Sequence, residues 1–389
     1  MPPDDLVYSL SIVTAPRGLA LLLLLGAAAA LSSSPAQEPL PAELTNDFKI
    51  HLWNYGTDLR GLLGYKDNVF LSHTNRHDSP FWDSGCDFLV FRVPSGDWSF
   101  NGLIAGDYVR YLAGPVSTEE ATALALAQAA RSFGQHWSST LGVNYAYQDQ
   151  LMDLSAIEPQ LAGAGRVVGH TLTERWSTRG DYGRAWGELE MAGTRQWLES
   201  PLDSYWQFGP KVSLGSRFAP RDDLTLSYQW TRLADDREPD LDRQGNTVTN
   251  THLVLGSQNV QLAWHRAWDQ RRQWLTTLTA GFGLDQDNGS GFFNRYQCSL
   301  SPRLEYRRGP WRLSAFLTAT AYQYPIQTIA PDSETRRTKT WLSAHARAEW
   351  RVSKILKLLA TYSFDRSFSN LDIDDYYTHT FSMGAEFQF

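Results

Sequence analysis

At 389 residues the chain is long enough for two or three soluble domains or for one large membrane barrel. Aromatics make up 13%, the mean hydropathy is negative, and past the N-terminus there is no run of about 20 apolar residues, which excludes a bundle of membrane helices. The formal net charge of −7 comes without a polybasic run, so nucleic acid is not an expected partner.

Residues 1–36 hold Arg17, an uncharged apolar block from Gly18 to Leu31, and then Ser34-Pro35-Ala36, with small residues where a signal peptidase reads. This predicts a signal peptide over 1–36 and export through the inner membrane. Asp4 and Asp5 stand where positive charge is usual, and Val13 is an alternative first residue. A periplasmic lead, 37–56, then precedes a barrel over 57–389.

Strands are predicted at 57–70, 82–93, 98–111, 120–131, 137–148, 165–177, 181–197 and 204–218, then at 223–233, 252–268, 273–285, 291–306, 311–323, 339–351, 355–365 and 376–389. Every second connection is short, as at Pro94-Ser95-Gly96-Asp97, 178–180 and Arg307-Arg308-Gly309-Pro310, while 71–81, 149–164, 234–251, 324–338 and 366–375 are longer. That parity is what hairpins threaded through a membrane need, and it predicts a 16-stranded antiparallel transmembrane β-barrel with short periplasmic turns and longer extracellular loops.

Successive side chains of a strand point to opposite faces, so each segment can be tested for one apolar and one polar side. Leu141, Val143, Tyr145 and Tyr147 oppose Thr140, Gly142, Asn144 and Gln148, and Leu342, Ala344, Ala346, Ala348 and Trp350 oppose Ser343, His345, Arg347 and Glu349. Strands 57–70, 82–93 and 165–177 alternate less cleanly, and Glu174 suits neither face. Trp98, Trp137, Trp176, Trp268, Trp274, Trp311 and Trp350 fall beside short turns, whereas Tyr147, Trp197, Trp206, Tyr324 and Tyr377 fall beside long loops, which predicts two aromatic girdles.

Ser117-Thr118-Glu119-Glu120 before ATALALAQAAR reads as a capping box opening an alanine-rich helix, but the parity of every later connection requires a strand there. In the last segment Phe381, Met383, Ala385, Phe387 and Phe389 share one side. An aromatic end of this kind is similar to the closing strand of bacterial outer-membrane barrels, where it helps recruit the insertion machinery, so Phe387 and Phe389 are the candidate insertion signal.

Charged residues expected on the inner face near mid-strand are the pore-lining candidates: Glu188, Glu190, Lys211, Arg295, Arg303, Glu305, His345, Arg347 and Glu349. Arg or Lys on the lipid side at mid-depth costs roughly 2–4 kcal/mol, so these groups should face water or each other. The longest outer loops, 149–164 and 234–251, are the candidates for narrowing the bore, and Asp235, Asp236, Glu238, Asp240 and Asp242 make the second one acidic. Asp240 and Asp242 also sit in a partial copy of a calcium loop that lacks its closing Glu, with Thr251 in that place, so they are weak metal candidates and no metal or other cofactor is expected. Cys86 and Cys298 are read as free thiols.

GYKDNVFLS at 64–72, SPFWDSGCDFLVFRVPSGDW at 79–98, YAYQDQ at 145–150, LDSYWQFGPK at 202–211 and DQDNGSGFF at 285–293 together resemble the outer-membrane barrel family called beta-barrel porin-2. The resemblance implies a porin-like barrel and carries over no functional residues. His77-Asp78-Ser79 are consecutive and cannot converge as a catalytic triad, and no other Ser–His pair is singled out, so no enzymatic activity is expected. The leading expectation is an outer-membrane channel for passive diffusion of small hydrophilic solutes. The alternatives are a barrel of a secretion, assembly or exopolysaccharide-export system, or a structural or surface-binding barrel. Expected partners are outer-membrane lipid, the barrel insertion machinery and small solutes, with a homo-oligomer as a further option.

Overall fold

Backbone polar groups left unpaired in hydrocarbon are costly, and a chain of alternating strands avoids that cost by closing its sheet into a ring. The computed structural model describes residues 53–113, 119–154, 163–200, 202–330 and 333–389. Its strands are β1 (Trp53–Lys66), β2 (Ser79–Ser95), β3 (Trp98–Tyr111), β4 (Glu119–Phe133), β5 (Trp137–Asp153), β6 (Ala164–Tyr182), β7 (Ala185–Leu198) and β8 (Tyr205–Ala219). The second half adds β9 (Asp222–Asp235), β10 (Val254–Ala267), β11 (Trp274–Asp287), β12 (Arg295–Arg308), β13 (Trp311–Thr328), β14 (Arg336–Arg351), β15 (Leu356–Ser369) and β16 (Tyr376–Gln388). Neighbours in sequence are neighbours in the sheet, all antiparallel, and β1 pairs with β16 to close the barrel. The predicted signal peptide, lead residues 37–52, Ser117 and Thr118 lie outside the described residues.

Cross-strand partners share a face, and the register sorts every strand into an inner and an outer set. The outer set is hydrocarbon: Leu63, Ile104, Leu141, Leu189, Val212, Leu226, Leu262, Leu300, Leu317, Leu358 and Met383 are all exposed. Polar residues such as Thr173, Gln196, Ser227, Thr320, Ser343 and Ser382 are buried on the inner side. An apolar outside around a polar inside is the arrangement of a transmembrane barrel. The seven tryptophans predicted beside short turns are all exposed, and six form the lower girdle, with Trp311 and Trp350 stacked 5.8 Å apart. Trp176 is not at a turn but in register with Leu141 and Met191, higher on the outer wall, because β6 runs on to Tyr182. Cys86 and Cys298 are free and exposed, Cys86 in register with Leu59 and Cys298 with Phe282.

The alanine-rich segment is strand β4, hydrogen-bonded to β3 on one edge and β5 on the other. Two complete ladders outweigh the helix preference of alanine, which amounts to only a few tenths of a kcal/mol per residue. Ala121, Ala123, Ala125, Ala127 and Ala129 share the outer side, and Leu124, Leu126 and Gln128 share the inner.

Three further expectations are corrected. First, β1 begins at Trp53 and ends at Lys66, because Trp53 and Tyr55 pair with Arg92 and Val90, and Asn68 turns the chain away by bonding the Ser72 and Tyr377 carbonyls at 2.9 and 2.8 Å. Lead residues 53–56 therefore belong to the wall. Second, the turn expected at 178–180 lies at Gly183-Arg184, since Asp181 and Tyr182 extend the ladder to Trp186 and Ala185, and Gly183 adopts a φ of 69° that suits a tight hairpin. Third, Tyr324 is 2% exposed and faces inward below the Arg337 guanidinium, 4.7 Å away, because β13 runs on to Thr328.

The closing seam runs from Asp58↔Gln388 to Lys66↔Thr380, and Phe389 exchanges backbone hydrogen bonds with Thr57 at 2.8 and 3.1 Å. Phe387 and Phe389 point outward, 44% and 69% exposed. At Gly384 a Cβ would run into the Gly61 carbonyl oxygen. Gly384→Val is accordingly expected to destabilise closure by about 1–3 kcal/mol, seen as loss of the heat-modifiable compact band at a lower temperature than in the parent.

Candidate functional site

All nine predicted lining residues fall on the inner face, but in separate groups. On β6–β8, Glu190 is 3.4 Å from Arg175 and in register with Lys211, while Glu188 is 4.0 Å from Arg179. These carboxylates border a recess in the inner wall lined also by Leu126, Gln128, Thr140, Gly142, Asn144, Thr173 and Ser177. On β12–β14, Glu305 gathers Arg303 and Arg307 at 2.6 Å and Arg312 at 3.9 Å. Next to it Arg347 reaches Glu349 at 2.8 Å and Glu386 at 3.8 Å, and Lys357 meets Glu386 at 2.8 Å. His345 sits above Arg347 with its ring 5.1 Å from that of Phe316. Arg295 pairs with Asp285 at 2.8 Å, higher in the barrel.

The inner wall of β1–β3 has the opposite character. Asp107 pairs with Arg60, and Asp83 and Asp87 lie within electrostatic reach of the same guanidinium. An acidic sector thus faces the lumen beside a base-rich one. Asp285, Arg312, Lys357 and Glu386 were within reach of strand alternation, since each falls on the polar side of its strand.

The outer mouth holds the feature that strand patterns did not reveal. Counting β14, β15, β16, β1, β2, β3, β4, β5, Lys339 and Asp153 stand on nearly opposite sides of the ring. Yet they form an ion pair, 4% and 9% exposed in their side chains, and the Tyr376 hydroxyl donates to the same Asp153 carboxylate at 3.2 Å. The described end of β5 therefore reaches across the mouth. Beyond it, the Gly163 amide donates to Asp374 at 2.8 Å, Asp374 receives Arg337 at 2.6 Å, Arg337 donates to Gln327 at 2.9 Å, and Gln327 donates to the Phe292 carbonyl at 3.1 Å. Beneath the hairpin Met152, Val167 and Leu202 form a buried apolar cluster with Leu154 and Leu198 against it. Of the two loops expected to narrow the bore, 149–164 has its described ends across the mouth, while its residues 155–162 lie outside the described residues.

The loop 234–251 packs along the rim instead. Asp203 accepts the Glu238 amide at 2.7 Å, Ser290 donates to the Leu241 carbonyl at 2.6 Å, and Leu241 rests on Leu253, Leu255 and Phe293. Asp242 closes a small turn by accepting the Gln244 and Asn246 amides at 2.9 Å, and Asp240 accepts the Leu241 amide at 2.9 Å. Among the described residues no three His, Cys, Asp or Glu side chains converge as a metal site, and Asp240 and Asp242 serve the loop's own turns. Burial, with Asp287 nearby, pushes the Asp240 carboxyl up, and its hydrogen bonds with Asn246 hold Asp242 down.

Asp236 anchors that loop to the wall through a two-toothed bond to Arg195, which lies over Trp206 and Trp197 at 5.1 and 5.7 Å. The hydrogen bond from Arg195 holds the Asp236 carboxyl below the ordinary carboxylate range. The anchor is then fully present above about pH 4 and is lost as pH falls through the depressed value. Tryptophan emission is expected to change over that acid range in the parent and not in Arg195→Ala.

His77, Asp78 and Ser79 diverge. Asp78 receives the Tyr65 hydroxyl at 2.6 Å, which holds its carboxyl down, Ser79 donates to the Pro80 carbonyl, and the His77 ring lies 5.3 Å from that of Phe70. His170 bonds Tyr145 at 2.7 Å and His265 bonds Thr277 at 2.9 Å.

No family model matches the chain, and no curated protein matches it. Among solved structures it is similar to OmpT, an outer membrane protein of Vibrio cholerae, at 10% identity and a TM-score of 0.45 over 87% of this chain and 97% of that one. It is similar to the outer membrane protein OprD from Pseudomonas aeruginosa at 12% identity and a TM-score of 0.42 over 86% and 94%. A bacterial polysaccharide outer membrane secretin gives 10% and 0.43 over 86% and 97%.

Proposed function

We propose that this chain is an outer-membrane channel through which small hydrophilic solutes diffuse, with its outer mouth narrowed by the described ends of the β5–β6 hairpin. The observation that carries the reading is the inner wall, which is charged and hydroxylated from the Glu305 and Arg347 groups at one end to Asp285 and Arg295 at the other. A polar wall of this kind around a sixteen-strand bore is wide enough for water and solute. The segments that resemble beta-barrel porin-2 support the reading, and they fall on β1, β2, β5, β8 and the β11–β12 connection. Catalysis, metal and cofactor are left out of it. Phe387 and Phe389, outward at the seam, are the residues we propose as the insertion signal.

Recording the purified protein in planar bilayers tests this directly: discrete ohmic steps are expected. Silence under conditions in which a control porin opens sinks the proposal. The contacts that cross the mouth favour a second reading, a barrel that exports a polymer or binds partners at the surface. Deleting 37–52, the part of the lead that precedes β1, separates the two, since a diffusion channel should conduct almost unchanged.

A further inference from the structure

Glu174 is exposed on the outer side of β6. On β5 the outward residues between Trp137 of the lower girdle and Tyr147 of the upper are Ser139, Leu141, Val143 and Tyr145, and Glu174 is in register with Val143. It therefore faces the middle of the bilayer. No hydrogen bond or ion pair reaches it among the described residues. A carboxyl group in hydrocarbon without a partner is costly, and ionisable groups at that depth are kept where something meets them.

Its other cross-strand neighbour is Gly193 on β7, where an added Cβ would touch nothing within 4 Å, so the carboxyl stands beside an open notch. The outer face of nearby β4 is a flat run of alanine. The opposite wall, by contrast, is apolar at mid-depth, with Leu317, Ala346, Ala360 and Met383 outward.

We infer that the β5–β7 wall is an interface with a second copy of this chain, joined through Glu174. Both copies sit in the bilayer with the same loops outward, so a two-fold axis relating them runs along the membrane normal. Such an axis brings a group on one copy to the depth of the same group on the other, in a self-complementary contact. Two carboxyls that meet in this way can share a proton and satisfy each other, which no other outward residue at this depth offers. Gly193 and the alanine face of β4 let the two walls approach closely enough.

Cysteine cross-linking in lipid vesicles tests it. With Cys86→Ser and Cys298→Ser as background, Glu174→Cys is expected to give a disulfide-linked dimer as the main product of mild oxidation, and the yield should persist when the vesicles are diluted with lipid. Ala346→Cys, on the far wall, should give almost none. Glu174→Leu, which suits hydrocarbon and should fold as judged by heat-modifiable migration, is expected to weaken self-association at least about tenfold by energy transfer between labelled copies. Cross-linking of Glu174→Cys no greater than that of Ala346→Cys, or unchanged association of Glu174→Leu, overturns the inference. The latter result would leave Glu174 to a base on a different membrane protein.

Discussion

Lys339→Met is expected to raise single-channel conductance and the time spent open, because it removes the cation that ties the β5–β6 hairpin to the far wall. Breaking a buried ion pair from one side costs roughly 3–5 kcal/mol when the remaining charge stays buried. Here Asp153, the last residue of β5, can escape that cost by swinging out to water, so the penalty should appear as opening of the mouth and not as loss of the barrel. Asp153→Asn should act in the same direction. Because the two groups share one contact, the double variant should fall short of the sum of the singles by about 0.5–3 kcal/mol when opening is expressed as a free energy. Arg337→Gln, at the second crossing through Asp374, gives an independent check. Conductance unchanged in all three would mean that the mouth lies outside the path of ions.

Glu305→Gln is expected to push the channel towards anions by several-fold in permeability ratio, measured as a reversal potential across a salt gradient. The carboxylate gathers three guanidinium groups, Arg303, Arg307 and Arg312, within 4.0 Å. Removing one negative charge leaves them facing the lumen uncompensated. A unit charge at about 4 Å is worth about 4 kcal/mol at the effective dielectric of a protein surface. Arg303 and Arg307 are 38% and 50% exposed in their side chains, so water takes over much of that interaction and little stability should be lost. The shift in selectivity should be largest in dilute salt and fade towards 1 M, where the screening length falls to roughly 3 Å. A selectivity indifferent to Glu305 would assign the preference to the acidic sector around Arg60 instead.

How far the sequence carried each feature depends on the range over which its cause acts. Strands and their parity were legible because face alternation and turn residues are local, and even β4 followed once its neighbours had to pair. Strand ends were less so: Trp53 and Tyr55 look like part of a lead until Arg92 and Val90 are seen beside them. The lining charges on β7, β8, β12 and β14 could be placed by parity alone, yet their grouping could not, since which Arg meets Glu305 is set by the register of three strands. The mouth was the hardest. Asp153 and Lys339 are distant in sequence and nearly a barrel diameter apart around the wall, and nothing local in either strand says that one hairpin will bend across. For the same reason an acidic composition made 234–251 look as able to narrow the bore as 149–164, when Asp240 and Asp242 are spent on its own turns and Asp236 on Arg195.

The two thiols have a practical consequence. Cys86 and Cys298 open onto acyl chains from β2 and β12 and not onto water, so a folded, inserted molecule presents them only to reagents that dissolve in lipid. A charged, water-soluble maleimide should leave both unmodified until the wall comes apart, and a membrane-soluble one should reach them at once. The ratio of the two labelling rates is therefore a gauge of insertion, readable on the natural sequence without adding a tag. It distinguishes a barrel seated in its bilayer from one folded but stranded outside it.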